Sequence, residues 1–325
     1  MILRKVTFLF CLLALVSLAG CQPGSGKDNV FLVVDFQPQV PLKYKMVSER
    51  DSYVTFDADS NKMKPEKISE KLELVISYKP VGERDEYGLT TIEATCHSAK
   101  VTRKAKKIAA GKDAAEGLSG RSYTFKVSPT GRIADKTNLI KLAEEIGSGS
   151  ISSTNSGKFK NPDMTTDFLC LQWYLWDSLA ASGQTSSGLK PGASWTTKQL
   201  VPLPFPARLV RDTTYTLGDR AEGIEDMNKV VIDSTYAAGG KGLKDWPGIY
   251  PGPYQIKGML GFLQGFSITS IEGTGRQIFD AEKGILEKDL QQYKAKLAAN
   301  LRLPLPGVKP EVTVDQKISV ELLDN

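Results

Sequence analysis

The sequence contains few of the side chains on which most metal sites and many active sites depend. Its 325 residues include one histidine, His97, and four cysteines, Cys11, Cys21, Cys96 and Cys170. Zinc sites are built from clusters of such ligands, and no Cys-x-x-Cys pair occurs. We therefore predict no metal and no cofactor.

Charge and hydropathy exclude three further classes of protein. The formal charge of +5 is too small to indicate binding to nucleic acid. Apolar residues make up 41% and charged residues 24% of the chain, which is typical of a globular protein and not of a disordered one. After the first 20 residues no apolar run approaches the ~20 residues that a membrane-spanning helix needs. The body is therefore predicted to be globular.

The first 20 residues have the pattern of an export signal. Arg4 and Lys5 form a short basic start, Val6 to Leu18 is apolar, and small residues follow. This apolar stretch is shorter than the ~20 residues of a membrane span, so we predict a signal peptide over residues 1–20. Residues 21–29, rich in glycine and polar side chains, are predicted to be a flexible tether.

The segment Leu18-Ala19-Gly20-Cys21 resembles the lipobox of bacterial lipoproteins. This resemblance implies that Cys21 carries a diacylglyceryl group, that the leader is cut before it, and that the new amine is acylated, for example with palmitate. Gln22, in place of Asp, implies passage to the outer membrane, facing the periplasm. Each buried CH₂ adds ~0.8 kcal/mol, so several acyl chains give firm attachment. The alternative is a secretory leader with a coincidental cysteine.

Cys96 and Cys170 are the two cysteines left for the folded body, since Cys11 lies in the leader and Cys21 at its end. An oxidising cell envelope permits a disulfide between them. Two separate buried thiols are equally compatible with the sequence, and both alternatives stay open here.

Apolar residues alternate with polar ones along much of the chain, which predicts strands. The pattern is longest at the C-terminus, where odd positions from Tyr293 to Leu305 and even positions from Val312 to Leu322 are apolar. These two runs predict a long hairpin around the intervening Pro/Gly loop. A helix is the alternative before Tyr293. We predict a mainly β, α+β fold with curved antiparallel sheets forming an open half-barrel.

Two turns of similar composition suggest two similar halves. Ser128 to Gly131 and Asp280 to Gly284 each follow one strand and precede another, as in β-hairpins. We predict an N-terminal β half over 30–147, a linker and helix over 148–192, and a C-terminal β half over 193–325. Helices near 138–146 and 163–180 are predicted to cover the sheets.

Three groups of side chains are candidates for function. His97 adjoins Cys96 in a predicted strand, where neighbouring side chains point to opposite faces, so this pair does not indicate catalysis. Trp246, Tyr250 and Tyr254 are a candidate platform for a glycan or an acyl chain, or else pack on the core. The basic run from Lys100 to Lys112 is a solvated hairpin tip or a contact for anionic headgroups.

Several segments resemble an uncharacterised family of β-rich envelope lipoproteins. They are Tyr123 to Ile133, Lys190 to Trp195, Tyr215 to Leu217 and Ile278 to Ile285. Ala193 departs from the family's pattern, which has Asp. More loosely, long strands and two alike halves are similar to lipoprotein carriers, whose curved open barrels hold acyl chains on an apolar concave side.

These observations predict an envelope lipoprotein that is not an enzyme and has a structural or interaction role. Its expected partners are the membrane, through the lipid anchor, and an envelope protein. The alternative is a binding module that holds a hydrophobic, lipid-like ligand on the concave face of the sheet.

Overall fold

The computed structural model describes residues 29–36, 40–55, 66–105, 112–147, 158–159, 163–184, 186–204, 209–218, 228–240, 255–256, 263–301 and 310–324. The described protein is mainly β, with one large open antiparallel sheet and two α-helices, which confirms the predicted fold class.

Thirteen strands are present in the described residues, and eleven of them form the large sheet. The strands are β1 (Leu42–Thr55), β2 (Glu66–Pro80), β3 (Thr90–Lys104), β4 (Ser122–Val127), β5 (Ile133–Asp135), β6 (Lys158–Phe159), β7 (Ser194–Leu200), β8 (Val210–Leu217), β9 (Lys229–Ala238), β10 (Gln255–Ile256), β11 (Leu263–Asp280), β12 (Ile285–Leu301) and β13 (Glu311–Leu322). The large sheet has the order β5-β4-β3-β2-β1-β13-β12-β11-β9-β8-β7, and β6 pairs with β10 separately. Because β13 pairs with β1, the first and last strands meet at the centre of the sheet.

The C-terminal hairpin confirms the predicted alternation. β12 and β13 are antiparallel, with Leu297 opposite Val312 and Ala295 opposite Val314, and all four side chains are buried on one face. β12 already begins at Ile285, so the helical alternative before Tyr293 is wrong. The predicted division into two halves at 147 and 193 stays a prediction.

Both predicted helices are present. They are α1 (Thr137–Gly147) and α2 (Thr165–Ala181), and a short 3₁₀ helix covers Ala114–Leu118. α2 is buried almost all round, which is why it carries apolar residues on every side. No helix in the described ranges is both long and apolar enough to cross a bilayer.

The large sheet curves around α2. Gln172 of α2 accepts a hydrogen bond from Tyr123 of β4, and the carbonyl of Ser178, six residues on, accepts one from Trp195 of β7. These two positions are roughly 9 Å apart along a helix. β4 and β7 are nine places apart in the sheet, which is about 43 Å if the sheet were flat. Strands so far apart reach one short stretch of helix only because the sheet wraps around it.

The chain enters the fold across one end of the sheet, which we call the near end. There the backbone of residues 29–36 runs past both predicted hairpin turns. The amide of Val34 donates to Pro129 O at 2.8 Å, and the amide of Asp35 donates to Gly284 O at 3.0 Å. The β2–β3 turn, residues 81–89, lies at the same end. The start of β3 pairs with the end of β4, just before the turn at Gly131, and β1 also begins at this end, where β11 finishes. The opposite end of the sheet is called the far end.

Candidate functional site

The inner face of the sheet, where α2 lies, carries two clusters of buried polar side chains. One is centred on Arg50 of β1 and the other on Arg211 of β8, and both arginines are almost wholly enclosed. Because an unpaired buried charge costs several kcal/mol, the partners of each guanidinium decide what the cluster does.

The Arg50 cluster is a network of ion pairs. Arg50 donates Nε and Nη2 to Oε2 of Glu70 at 3.0 and 2.9 Å, and Nη1 to both carboxylate oxygens of Asp167 at 3.2 Å. Arg103 binds the other oxygen of Glu70 at 2.7 Å and reaches Asp113 at 2.8 Å. The network joins the first turn of α2 to β1, β2 and β3.

Opposite charges in this network outweigh the cost of burial at Glu70. Burial alone would raise the pKa of Glu70, but the guanidinium groups of Arg50 and Arg103 hold it below its usual value. A carboxylate kept charged between two arginines is suited to holding structure together, since its oxygens are occupied by donors. The Arg50 cluster therefore fixes the position of α2.

In the Arg211 cluster, glutamine amides lie between the guanidinium and two carboxyl groups. Arg211 donates Nε and Nη2 to Oε1 of Gln199 at 2.9 and 2.6 Å, and Nη2 also to Oε1 of Gln291 at 2.6 Å. Gln199 donates Nε2 to Asp177 at 2.7 Å, and Gln291 donates Nε2 to Asp289 at 2.8 Å. Each glutamine thus links the arginine to one carboxyl group.

Three tyrosine rings enclose the same guanidinium. Its carbon lies 4.1 Å from the ring centre of Tyr236, 4.7 Å from that of Tyr293 and 4.8 Å from that of Tyr174. Such contacts are worth about 2 kcal/mol or more when desolvated. Gly275 makes room for this arrangement, because a Cβ there would lie 2.3 Å from the Tyr236 hydroxyl oxygen.

The two carboxyl groups of this cluster titrate near neutral pH. Burial raises the pKa of Asp177 to about 6 and that of Asp289 to about 6, since the amide hydrogen bonds and the charge of Arg211 offset only part of the desolvation. Asp289 is enclosed, whereas Asp177 is partly buried. A shifted carboxyl group is a candidate acid or base. Here both groups are engaged by glutamines inside the fold, which favours a structural role.

A groove of about 770 Å³ crosses the outer face of the sheet between β2 and β9. Its charges largely compensate one another. Lys71 binds Glu49 at 3.0 Å and Glu73 at 3.2 Å, and Arg276 lies 3.7 Å from Asp233. A surface with paired charges attracts neither anionic nor cationic ligands strongly. It can serve as a contact surface.

Cys96 and Cys170 are separate buried thiols, so the alternative of a disulfide is not realised. Cys96 lies in β3 with its Sγ 3.3 Å from the carbonyl of Ser98, and Cys170 lies in α2 with its Sγ 3.8 Å from the carbonyl of Leu200. The Cys96 thiol lies on β3 and the Cys170 thiol contacts β7, and these two strands are far apart in the order of the sheet. Burial raises the pKa of Cys96 to about 11 and raises that of Cys170 further, so both remain protonated.

His97 lies on the opposite face from Cys96, as the strand pattern predicts. Its Nε2 is 2.8 Å from Oγ of Ser77, and the residue is exposed. In the described part of the chain, no group of three or more His, Cys, Asp or Glu side chains is placed to hold a metal ion.

The residues of the basic run from Lys100 to Lys112 lie in different surroundings. Arg103 belongs to the Arg50 cluster, whereas Lys100, Lys104 and Lys112 are exposed. Lys106 and Lys107 lie outside the described residues. So do Cys21 and the candidate platform of Trp246, Tyr250 and Tyr254, and these assignments stay predictions.

No family model and no curated protein matches this chain. Among solved structures, lipovitellin, from a study of its lipid–protein interactions, matches 89% of this chain at 11% identity and a TM-score of 0.39. This chain spans only 26% of the length of lipovitellin. An outer membrane channel from Pseudomonas putida F1 matches 92% of this chain and 98% of its own length, at 9% identity and a TM-score of 0.23. Both TM-scores are too low to support an argument about function. The proposal below is therefore argued from the residues of this chain.

Proposed function

We propose that this protein is a bacterial envelope lipoprotein, attached to the membrane through Cys21, that acts by contact with other molecules and not by catalysis. The proposal that the protein acts by contact depends on one observation, which is that side chains and α2 fill the inner face of the sheet. α2 occupies the inner face of the sheet, and the ionisable groups there are bound either by one another or by buried glutamine amides. The outer face and the two ends of the sheet are then the surfaces left for a partner.

The anchor is supported by the match of residues 18–21 to a lipobox and by the position of residue 29. The backbone of Asn29 and Val30 lies at the near end. There the N–H groups of Val30 and Leu189 each donate a hydrogen bond to the carbonyl of the other residue. A lipid attached at Cys21 would therefore hold the near end toward the bilayer. Gln22 supports the outer membrane, with the body in the periplasm.

A hydrophobic ligand on the inner face is the second candidate. The apolar lining of that face favours it, with buried Leu72 and Leu74 on β2 and buried Val320 on β13. α2 occupies the place that such a ligand would take. Binding would therefore require α2 to move and the Arg50–Asp167 ion pair to break.

Metabolic labelling tests the anchor. The full-length chain, expressed in a diderm bacterium with radiolabelled palmitate, should be labelled and should sediment with the outer membrane. Cys21→Ser should abolish both, while Cys96→Ser, which removes a buried thiol, should leave both unchanged. Label that persists in Cys21→Ser would refute the anchor.

Lipid extraction tests the filled interior. The purified protein should release only the fatty acids bonded to Cys21 on hydrolysis, and organic extraction before hydrolysis should release no stoichiometric lipid. A co-purified lipid that protects α2 from proteolysis would instead favour the ligand-binding candidate.

A further inference from the structure

Exposed apolar side chains gather at the near end of the sheet. Among the described residues six large apolar side chains are exposed, and five of them lie at this end: Phe31, Val33, Val40, Val81 and Tyr87. The sixth, Leu290, lies on the outer face of β12. Single exposed apolar residues are ordinary, but a group on one end of a protein marks a contact surface.

The fold holds these side chains outward. In residues 29–36, Leu32 and Val34 are buried, so the alternate side chains of Phe31 and Val33 face solvent. The amide of Gln184 fixes this segment, because it donates to the carbonyl of Leu32 at 2.8 Å and accepts from its N–H at 2.9 Å.

The β2–β3 turn presents Tyr87 in a similar way. Oδ1 of Asp85 accepts hydrogen bonds from the amides of Tyr87 at 3.0 Å and Leu89 at 2.9 Å, and its Oδ2 binds Lys126 at 2.8 Å. The turn is thus fastened to β4, while the Tyr87 side chain remains 78% exposed. An aromatic ring with a polar tip suits the boundary between lipid and water.

We propose that the near end rests on the surface of the bilayer, with these five side chains in its headgroup region. The proposal rests on the lipid anchor at Cys21 proposed above. Asn29 lies eight residue steps after Cys21, so the tether reaches at most about 29 Å. β1 alone is about 46 Å long at 14 residues. The tether therefore keeps the near end, and not the far end, beside the membrane.

The charges at this end indicate the kind of lipid contact. The β2–β3 turn carries Glu83, Asp85 and Glu86 against Arg84, and Lys79, Arg132 and Lys190 are exposed at the same end, so charges of both signs are present. Because charges of both signs lie at the near end, neither sign dominates the contact, and we expect this end to rest on neutral lipid. Contact is then made by apolar side chains, and salt should affect it little.

Depth-dependent quenching tests this orientation. The full-length lipidated protein is reconstituted into phosphatidylethanolamine-rich vesicles and carries an environment-sensitive fluorophore on Tyr87→Cys or, as the matched control at the far end, on Lys104→Cys. The parent protein, whose described thiols are buried, gives the labelling background. Vesicle flotation is measured on the same samples.

We expect lipids brominated or spin-labelled near the headgroup to quench the Tyr87→Cys label at least twofold more than the Lys104→Cys label. The difference should persist at 0.5 M salt. Equal quenching at both positions, or stronger quenching at Lys104→Cys, would overturn the proposal while flotation still succeeds. Failure to float would instead refute the anchor, so the two proposals fail in different ways.

Discussion

Asp177 and Arg211 face each other across the amide of Gln199 and form no direct ion pair. Oε1 of Gln199 accepts from Arg211 at 2.6 Å while its Nε2 donates to Asp177 at 2.7 Å. The same arrangement is repeated on the other side through Gln291 and Asp289. Two amide oxygens and the faces of three tyrosines therefore stabilise the positive charge of the guanidinium, and its planar, forked shape allows both kinds of contact.

Arg211→Lys should destabilise the protein although it keeps the charge. A lysine ammonium cannot bind both glutamines in this geometry or lie flat among the rings, so we expect a loss of about 2–4 kcal/mol. Chemical denaturation followed by tryptophan fluorescence measures it. Lys198→Ala, which removes a surface ion pair with Asp212 on the adjoining strands, should cost less than about 1 kcal/mol. Equal losses in the two variants would contradict a special role for the Arg211 cluster.

The stability of the protein should rise as the pH falls from 7 to 5. Asp177 and Asp289 have pKa values raised to about 6, so over this interval the folded protein takes up protons that the unfolded chain does not. The free energy of unfolding should increase by about 1 kcal/mol for Asp289 and somewhat less for Asp177, which keeps contact with solvent.

The double variant Asp177→Asn/Asp289→Asn should remove the part of this pH dependence that these two groups supply, because asparagine does not titrate and still offers an acceptor oxygen. Asp167, whose pKa is also raised by burial, is unchanged in this variant. The exposed control Asp233→Asn should keep the full pH dependence. Groups with lowered pKa values, such as Glu70, act in the opposite sense but only below about pH 5. Thermal melts at pH 7, 6 and 5 provide the measurement. A wild-type midpoint that falls between pH 7 and 5 would contradict the assignment.

Alternation of apolar and polar residues predicted several strands, among them β12 and β13, because burial on one face imposes a period of two. Apolar residues at helical spacing predicted α1 and α2. The two buried clusters were not predicted. Arg50 and Arg211 occupy positions at which the alternation calls for an apolar residue, and this break in the pattern was the available signal. Their partners Asp167 and Gln291 are distant in sequence, so only the folded chain brings them together.

The composition of the turn segments predicted the turns at Gly131 and Gly284 but did not predict that residues 29–36 lie against both. Both glycines have positive φ, as the turns require. Residues 29–36 pack against both turns through backbone hydrogen bonds from Val34 and Asp35. Backbone hydrogen bonds require no particular side chains, so the sequence does not reveal this contact. For the same reason, the gathering of Phe31 and Tyr87 at one end was not predicted.

Arg50→Met should be among the most destabilising single changes on the inner face. It leaves Asp167 buried without its guanidinium, while Glu70 keeps Arg103. Removing one partner of a buried ion pair typically costs about 3–5 kcal/mol. Urea denaturation measures the loss. The double variant Arg50→Met/Asp167→Leu should recover part of it, because no unpaired carboxylate remains there. Further loss in the double variant would mean that Asp167 holds α2 by contacts other than this ion pair.

Gly284→Ala should loosen the N-terminal segment from the sheet. Gly284 has a φ of +67°, and a Cβ there would lie 2.6 Å from the amide nitrogen of Asp35 and 2.7 Å from the carbonyl oxygen of Val33. Gly88 is a matched control, because it has a φ of +73° but no heavy atom within 4 Å of the added Cβ. Both alanine variants carry backbone strain of about 1–2 kcal/mol, so the difference between them reports the collision alone.

We expect Gly284→Ala to melt at a lower temperature than Gly88→Ala and to lose hydrogen-exchange protection at the amides of Val30, Val34 and Asp35. Gly88→Ala should leave those amides protected, because its strain is confined to the β2–β3 turn. Since residues 29–36 connect the predicted tether to the sheet, loss of protection there would lengthen the loosely held connection between Cys21 and the sheet. Equal protection in both variants would mean that the segment yields to the added methyl group without leaving the turn.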